Sequence, residues 1–287
     1  MTDDNPRSWT PLKDPTHQAL AVRDLSKVYG TQAAVDNISL DIPRGAIYGI
    51  VGPNGAGKTT MLSMATGLIR PTHGAAWIAG ADVWREPLRA KQSMGLLADG
   101  LPIFDRLSGR ELLAYVGALR GLDEAVVQQR STELLHALGL ADAGSKRIVD
   151  YSAGMTKKIL LAQALLHNPE VLILDEPLEA VDPVSGRLIQ SILRNFAAAG
   201  GTVVLSSHVM ELVEGLCDHV AIINKGRVVV AGHVEQVRAG RSLTDVFVDA
   251  VGGAALGEGS LSWLGGVAES REHQANPGHV EEERERP

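Results

Sequence analysis

Apolar and polar positions alternate at Ile38, Leu40 and Ile42, and after the turn signal Pro43-Arg44-Gly45 the chain enters a near-continuous apolar run, Ala46–Val51. Alternation with a period of two puts one face of a strand in a core, whereas an uninterrupted apolar run fits a strand covered on both faces. The pattern therefore predicts a half-buried strand followed by a buried one. Short apolar runs recur at Val171–Leu174 and Thr202–Leu205, each followed by polar residues capable of chemistry. Parallel strands present sites in this way, at their carboxyl ends. The middle of the chain has a different period. Ser108 followed by Glu111 forms a capping-box pattern ahead of Leu112, Leu113, Val116 and Leu119, and helical spacing continues over 124–140, so 85–150 reads as a helical insertion. Another helix is expected after Tyr151-Ser152-Ala153-Gly154-Met155, running to about His167 with Leu160, Leu161, Ala164 and Leu165 on its apolar face. Val220–Ile223, the turn residues Asn224-Lys225-Gly226 and Val228–Val230 read as a hairpin.

Residues 1–17 are polar and punctuated by proline, and 251–287 run through Gly, Ala and Glu to a charged end. Both are expected to lack a packed core, leaving one ordered domain at 18–250. The Glu-rich end reads as a solvated charge run. No internal repeat is visible. Composition narrows the class. With 45% of residues hydrophobic but only 4% aromatic, aliphatic side chains must fill the core. A formal net charge of -7 argues against nucleic acid as the main partner, which is bound through clustered Lys and Arg. Cys217 is the one cysteine, so an intramolecular disulfide is excluded, and it reads as a small buried apolar residue. Asp3 and Asp4 follow Met1 with no apolar segment behind them, so no secretory signal is expected. No stretch approaches 18 uninterrupted apolar residues, which leaves any membrane role to a partner.

The run Gly52-Pro53-Asn54-Gly55-Ala56-Gly57-Lys58-Thr59 fits the P-loop pattern in the context that pattern requires, after a predicted strand and opening a predicted helix. Its glycines let backbone N–H groups curl around phosphate oxygens, and the helix N-terminus adds a favourable dipole. In that pattern Lys58 is expected to reach the β- and γ-phosphates and the Thr59 hydroxyl to coordinate Mg²⁺. Val171–Leu174 delivers Asp175 and Glu176 at the end of a buried strand: Asp175 suits Mg²⁺, and Glu176 suits a general base for water. Ser152 and Gly154 at a second helix start form a second anion site. One phosphate chain cannot use both sites unless a second subunit supplies one.

Taken together, these motifs resemble the nucleotide-binding domain of ABC transporters, over about Leu20 to Gly252. The resemblance implies an α/β P-loop NTPase core with an antiparallel β subdomain and a helical subdomain. It implies ATP and Mg²⁺ as cofactors. Tyr29 matches an aromatic that stacks on adenine, and Gly52 to Thr60 match the phosphate loop. Tyr151–Met155 resembles the family signature, keeping Ser152 and Gly154 but carrying Ala153 and Met155 at positions usually Gly or His and Gln. Asp175 and Glu176 match the Mg²⁺-holding Asp and the catalytic Glu. Ala180-Val181-Asp182 resembles the loop that crosses to the other subunit, and His208 the histidine that contacts the γ-phosphate. Asp99 aligns with a Gln that touches Mg²⁺ and senses the membrane partner; an Asp there is shorter and adds a negative charge.

Single residues also have blander readings. Tyr29 alone would be a half-buried strand residue, and His208 alone a structural histidine. Trp77 and Trp84 read as packing residues. Asn224-Lys225-Gly226-Arg227 is superficially like a guanine-reading loop, which needs an Asp where Arg227 stands. The resemblance implies two copies, or one copy and a paralogue, closed head to tail over ATP, on the cytoplasmic face of a membrane beside a multi-span permease subunit. The short ending after the hairpin, around Ser242–Val248, resembles ATPases of drug, antibiotic and polysaccharide exporters. The alternative is a non-transport ABC ATPase acting on ribosomes or DNA, whose tandem domains or long coiled coils are not seen in this sequence.

Overall fold

The computed structural model describes residues 14–98, 100 and 102–252. Asp99 and the greater part of both expected end segments lie outside them.

Strands β1 (Leu20–Tyr29) and β2 (Gln32–Ile42) pair antiparallel and are followed by β3 (Ile47–Val51), every residue of which is buried. The expected half-buried and buried strands are the end of β2 and β3. In β2 the alternation is modified, because Asp41 is buried beside Leu40 and Ile42 and is paired with Arg23 at 2.6 Å. Helix α1 (Lys58–Ala65), β4 (His73–Ile78) and β5 (Ala81–Asp82) come next. One antiparallel sheet has the order β2-β1-β4-β5.

Helix α2 (Pro87–Ser93) precedes β6 (Met94–Leu97), and α3 (Gly109–Leu119), α4 (Glu124–Ala137) and α5 (Ala153–Leu165) follow. The reading of 85–150 as wholly helical is corrected here, since β6 pairs in parallel with β7 (Val171–Leu174). The four residues Met-Gly-Leu-Leu are too few for periodicity to separate strand from helix. Gly95 is required on packing grounds: a Cβ there would lie 2.1 Å from the Ala164 carbonyl oxygen, so its absence lets α5 lie directly on β6. The capping box of α3 forms as expected, with Ser108 Oγ accepting from Glu111 N at 3.2 Å and Glu111 Oε2 from Ser108 N at 2.7 Å.

The remaining elements are α6 (Pro183–Ala198), β8 (Thr202–Ser207), α7 (Met210–Leu216), the hairpin β9 (His219–Asn224) and β10 (Arg227–His233), α8 (Val234–Arg238) and α9 (Leu243–Val251). The second sheet has the order β10-β9-β3-β8-β7-β6, parallel except at the β10 edge. Its two faces feed two cores. Ile47, Val51, Leu172, Leu174, Val203 and Leu205 join the core built with α3 to α7, while Tyr48, Ile50, Val171, Ile173 and Val204 join the core under α1 and the antiparallel sheet. Burial on both faces is why these strands read as unbroken apolar runs. Cys217 is buried, and burial pushes its thiol up to about 12, in keeping with a packing role. Among the described residues no helix is long and apolar enough to cross a membrane.

Candidate active site

The loop from β3 into α1 is shaped by contacts that exclude side chains. A Cβ on Gly52 would lie 2.3 Å from the Ile223 carbonyl oxygen, and one on Gly57, at φ 102°, 2.4 Å from that of Ala34. Gly57 caps α1 without a side-chain hydrogen bond, so the first amides of the helix lack a capping side chain and face outward for an anion. The turn between β9 and β10 braces this loop: Gly226 N donates to Ala56 O at 2.9 Å, and Asp36 N donates to Gly226 O at 2.8 Å. The hairpin reading of Asn224–Arg227 is what the structure has, with Arg227 paired to Asp36 at 2.6 Å.

Lys58 is buried, and its Nζ donates to Gly52 O at 2.8 Å and Pro53 O at 3.4 Å. Thr59 is exposed and Thr60 half-buried, while Asn54 and Gly55 lie at the exposed crest of the loop. At the carboxyl end of β7, Asp175 is buried and Glu176 takes a left-handed backbone, φ 46°. For a residue with a Cβ such a conformation costs on the order of 1–3 kcal/mol and must be held in place. Ser206, fully buried near the end of β8, does the holding. Its hydroxyl donates to Asp175 Oδ1 at 2.5 Å and accepts from Glu176 N at 2.8 Å. The Glu176 carboxylate bridges two partners, with Oε1 3.7 Å from Lys58 Nζ and Oε2 3.1 Å from His208 Nδ1. Lys58, Glu176 and His208, widely separated in sequence, thus meet at the ends of β3, β7 and β8.

Donor chemistry tests whether a Mg²⁺ ion fits. Asp175 and Thr59 offer hard oxygen donors, and among the described residues no cluster of three or more His, Cys, Asp or Glu side chains could cage a metal. That suits an ion bound by one or two protein oxygens plus phosphate and water, as Mg²⁺ commonly is. The residues present fit the group.

The second anion site is separate. Ser152 caps α5, accepting from Met155 N at 3.3 Å, and a Cβ added at Gly154 would come no nearer than 4.0 Å to the Ala180 carbonyl oxygen. Among the described residues no hydrogen bond joins 152–155 to 52–60. Asp182 caps α6, accepting from Val184 N at 3.0 Å and Ser185 N at 2.9 Å, and these bonds, those from Ser185 foremost, hold its carboxyl below the usual range. Tyr29, 51% exposed at the end of β1, presents its ring below Lys27 Nζ at 5.1 Å, which leaves the half-buried reading unsupported. Sequence reasoning missed Ser206. Its available signal was a second small polar residue between an apolar run and His208.

Comparison with known proteins places this geometry. The family model described as ABC transporter matches residues 35–179. The ABC transporter ATP-binding protein NatA of Bacillus subtilis (strain 168) is 36% identical over 205 residues, covering 71% of this chain and 83% of its own. The doxorubicin resistance ATP-binding protein DrrA of Mycobacterium tuberculosis (strain ATCC 25618 / H37Rv) is 34% identical over 232 residues, covering 79% and 70%. An ATP-binding subunit of an ABC transporter of known structure superimposes with a TM-score of 0.76 at 28% identity, over 81% of this chain and 99% of that one. A dimeric ATP-binding cassette bound to ADP and phosphate shares the fold, with a TM-score of 0.70 at 21% identity, over 75% and 98%. The mixed α/β fold, the glycine-shaped loop and these matches agree, and the chain belongs to the ABC transporter family.

Proposed function

We propose that the chain binds and hydrolyses ATP and drives export through a separate membrane subunit. The observation that carries the reading is the Glu176 carboxylate held between Lys58 and His208 at the mouth of the glycine loop. Phosphoryl transfer to water needs positioning and charge neutralisation more than covalent chemistry. The loop N–H groups of Gly55, Gly57 and Lys58 receive phosphate oxygens. Lys58 exchanges the carbonyls of Gly52 and Pro53 for the β- and γ-phosphates, and in doing so leaves Glu176. The freed carboxylate then orients a water and accepts its proton, while His208 donates from the far side of Glu176 toward the γ-phosphate. Thr59 and Asp175 would hold Mg²⁺, which would supply neutralisation of phosphate charge. Tyr29, exposed, stacks on the adenine ring.

Ser152, Gly154 and Met155 complete the site from a second copy or a paralogue, with Asp182 in the crossing loop. Support comes from their separation, within one chain, from the glycine loop. A groove of about 510 Å³ beside Leu97 and Ala98 supports a membrane partner. Its rim exposes Leu88 at 71%, Leu119 at 69% and Phe104 at 56%, an apolar surface that calls for a cover. The Leu97 carbonyl accepts from Asp175 N at 2.7 Å, so the groove is one hydrogen bond from the carboxylate pair. Export is favoured by relatives named for resistance to doxorubicin and to linearmycin. Such a subunit sits at the cytoplasmic face of the membrane. The test is Mg²⁺-dependent phosphate release by the purified chain. Lys58→Ala is expected to lose both nucleotide binding and hydrolysis, and a Lys58→Ala chain hydrolysing at the unmutated rate overturns the reading.

A further inference from the structure

The backbone of Glu176 is gripped from two sides. Its N–H goes to Ser206 on β8, and its carbonyl accepts at 3.2 Å from Glu179 N and at 3.2 Å from Lys157 Nζ. Ser206 and Glu179 belong to the strand and turn around the carboxylates. Lys157 comes from elsewhere: it lies on α5, five residues after the Ser152 cap. The first turn of that helix also approaches the turn after Glu176, since a Cβ added at Gly154 would come within 4.0 Å of the Ala180 carbonyl oxygen. A residue at φ 46° relaxes toward ordinary backbone unless its flanking groups are held, so the aim of the carboxylate depends on both grips.

We propose that Lys157 is a positioning residue for Glu176, making the geometry of the carboxylate in one site depend on the placement of α5. This rests on the reading of Glu176 as general base and of Ser152–Met155 as the half-site offered to a second subunit's nucleotide. On that reading α5 touches nucleotide at its N-cap and, in its second turn, the carboxylate serving its own chain's nucleotide. One helix then links the two sites of the dimer. When Ser152 and Gly154 engage a phosphate, the ammonium of Lys157 is fixed with them, and Glu176 is brought to the aim that hydrolysis requires. The ammonium meets a carbonyl and not the substrate, so its loss affects the rate and leaves binding intact.

The experiment compares Lys157→Met and Lys157→Arg with the unmutated full-length chain, measuring kcat and, separately, equilibrium binding of a fluorescent ATP analogue. Lys157→Met keeps the aliphatic stem and removes the charge. It is expected to lower kcat at least about tenfold, since misaiming a base by a fraction of an ångström costs that much or more, with binding unchanged. Lys157→Arg is expected to recover most of the rate. In a Glu176→Gln background, adding Lys157→Met should change the residual rate little, because the residue acts through the carboxylate. Unchanged kcat in Lys157→Met, a parallel loss of binding, or full additivity with Glu176→Gln overturns the inference. Glu176→Gln keeps the two readings apart. If that variant hydrolyses at the unmutated rate, the general-base assignment fails, whereas if it is inactive and Lys157→Met is not slowed, only the inference about Lys157 fails.

Discussion

At the scale of single residues the site rests on side chains whose partners lie far along the chain. Ser206 is the sharpest case, since one buried hydroxyl serves both Asp175 and Glu176. Ser206→Ala leaves a buried Asp175 carboxylate oxygen and the half-buried Glu176 N–H without that partner. Urea unfolding should show a loss of about 1–3 kcal/mol, more than an exposed serine would cost. Asp175 and Glu176 were legible in the sequence because charged residues at the end of an apolar run stand out, and Lys58 because it closes the glycine pattern Gly52–Gly57. Ser206 and Lys157 were not, because a serine in a strand and a lysine on a helix carry no pattern, and their contacts span 31 and 19 positions. His167 offers a prediction in pH. Burial first, then the Arg120 cation and to a lesser extent Arg130, push it down to about 4, while its bond to the Met94 carbonyl works the other way. The unfolded chain takes up a proton near pH 6.5 and the folded one only near 4, so stability is lost as pH falls between those values. His167→Gln should remove that share, and its stability relative to the unmutated chain should rise from pH 7.5 to pH 4.5.

Elements were legible where burial or capping leaves a periodic trace. Strands β3, β7 and β8 and the hairpin were read from apolar runs, and α3 from its capping box. Ser108→Ala should lower stability by about 1 kcal/mol, measured by thermal unfolding, because it removes the Oγ that accepts from Glu111 N, one of the two bonds of the box. β1 escaped notice for a physical reason: register shifts between Val22, Leu25, Lys27 and Val28, with Asp24 at φ 51°, break its alternation. β6 escaped because four apolar residues fit either element. The glycine loop between β3 and α1 was legible in the sequence, but the reason for Gly52 and Gly57 is tertiary. Gly57→Ala should abolish high-affinity nucleotide binding, measured by equilibrium titration, since its Cβ would meet the Ala34 carbonyl.

At the scale of the whole molecule, the two half-sites and the apolar groove each call for another chain. Leu119→Glu should abolish co-purification with a multi-span membrane subunit while leaving ATP hydrolysis by the isolated chain within about twofold, because Leu119 is exposed on the groove's outer rim and not at its Leu97 end, which bonds Asp175. The sequence pattern pointed to a dimer through its second anion site, whereas the groove arises only when α3 and α5 are folded beside β6. The central claim is that Glu176 is the base of a site shared between two copies. Its most direct test is Glu176→Gln with ATP and Mg²⁺, followed by sedimentation velocity and phosphate release on the same sample. A dimer that forms only with ATP, with hydrolysis lowered at least about a hundredfold, is the expected result. A chain that stays monomeric and hydrolyses ATP at the unmutated rate would contradict it.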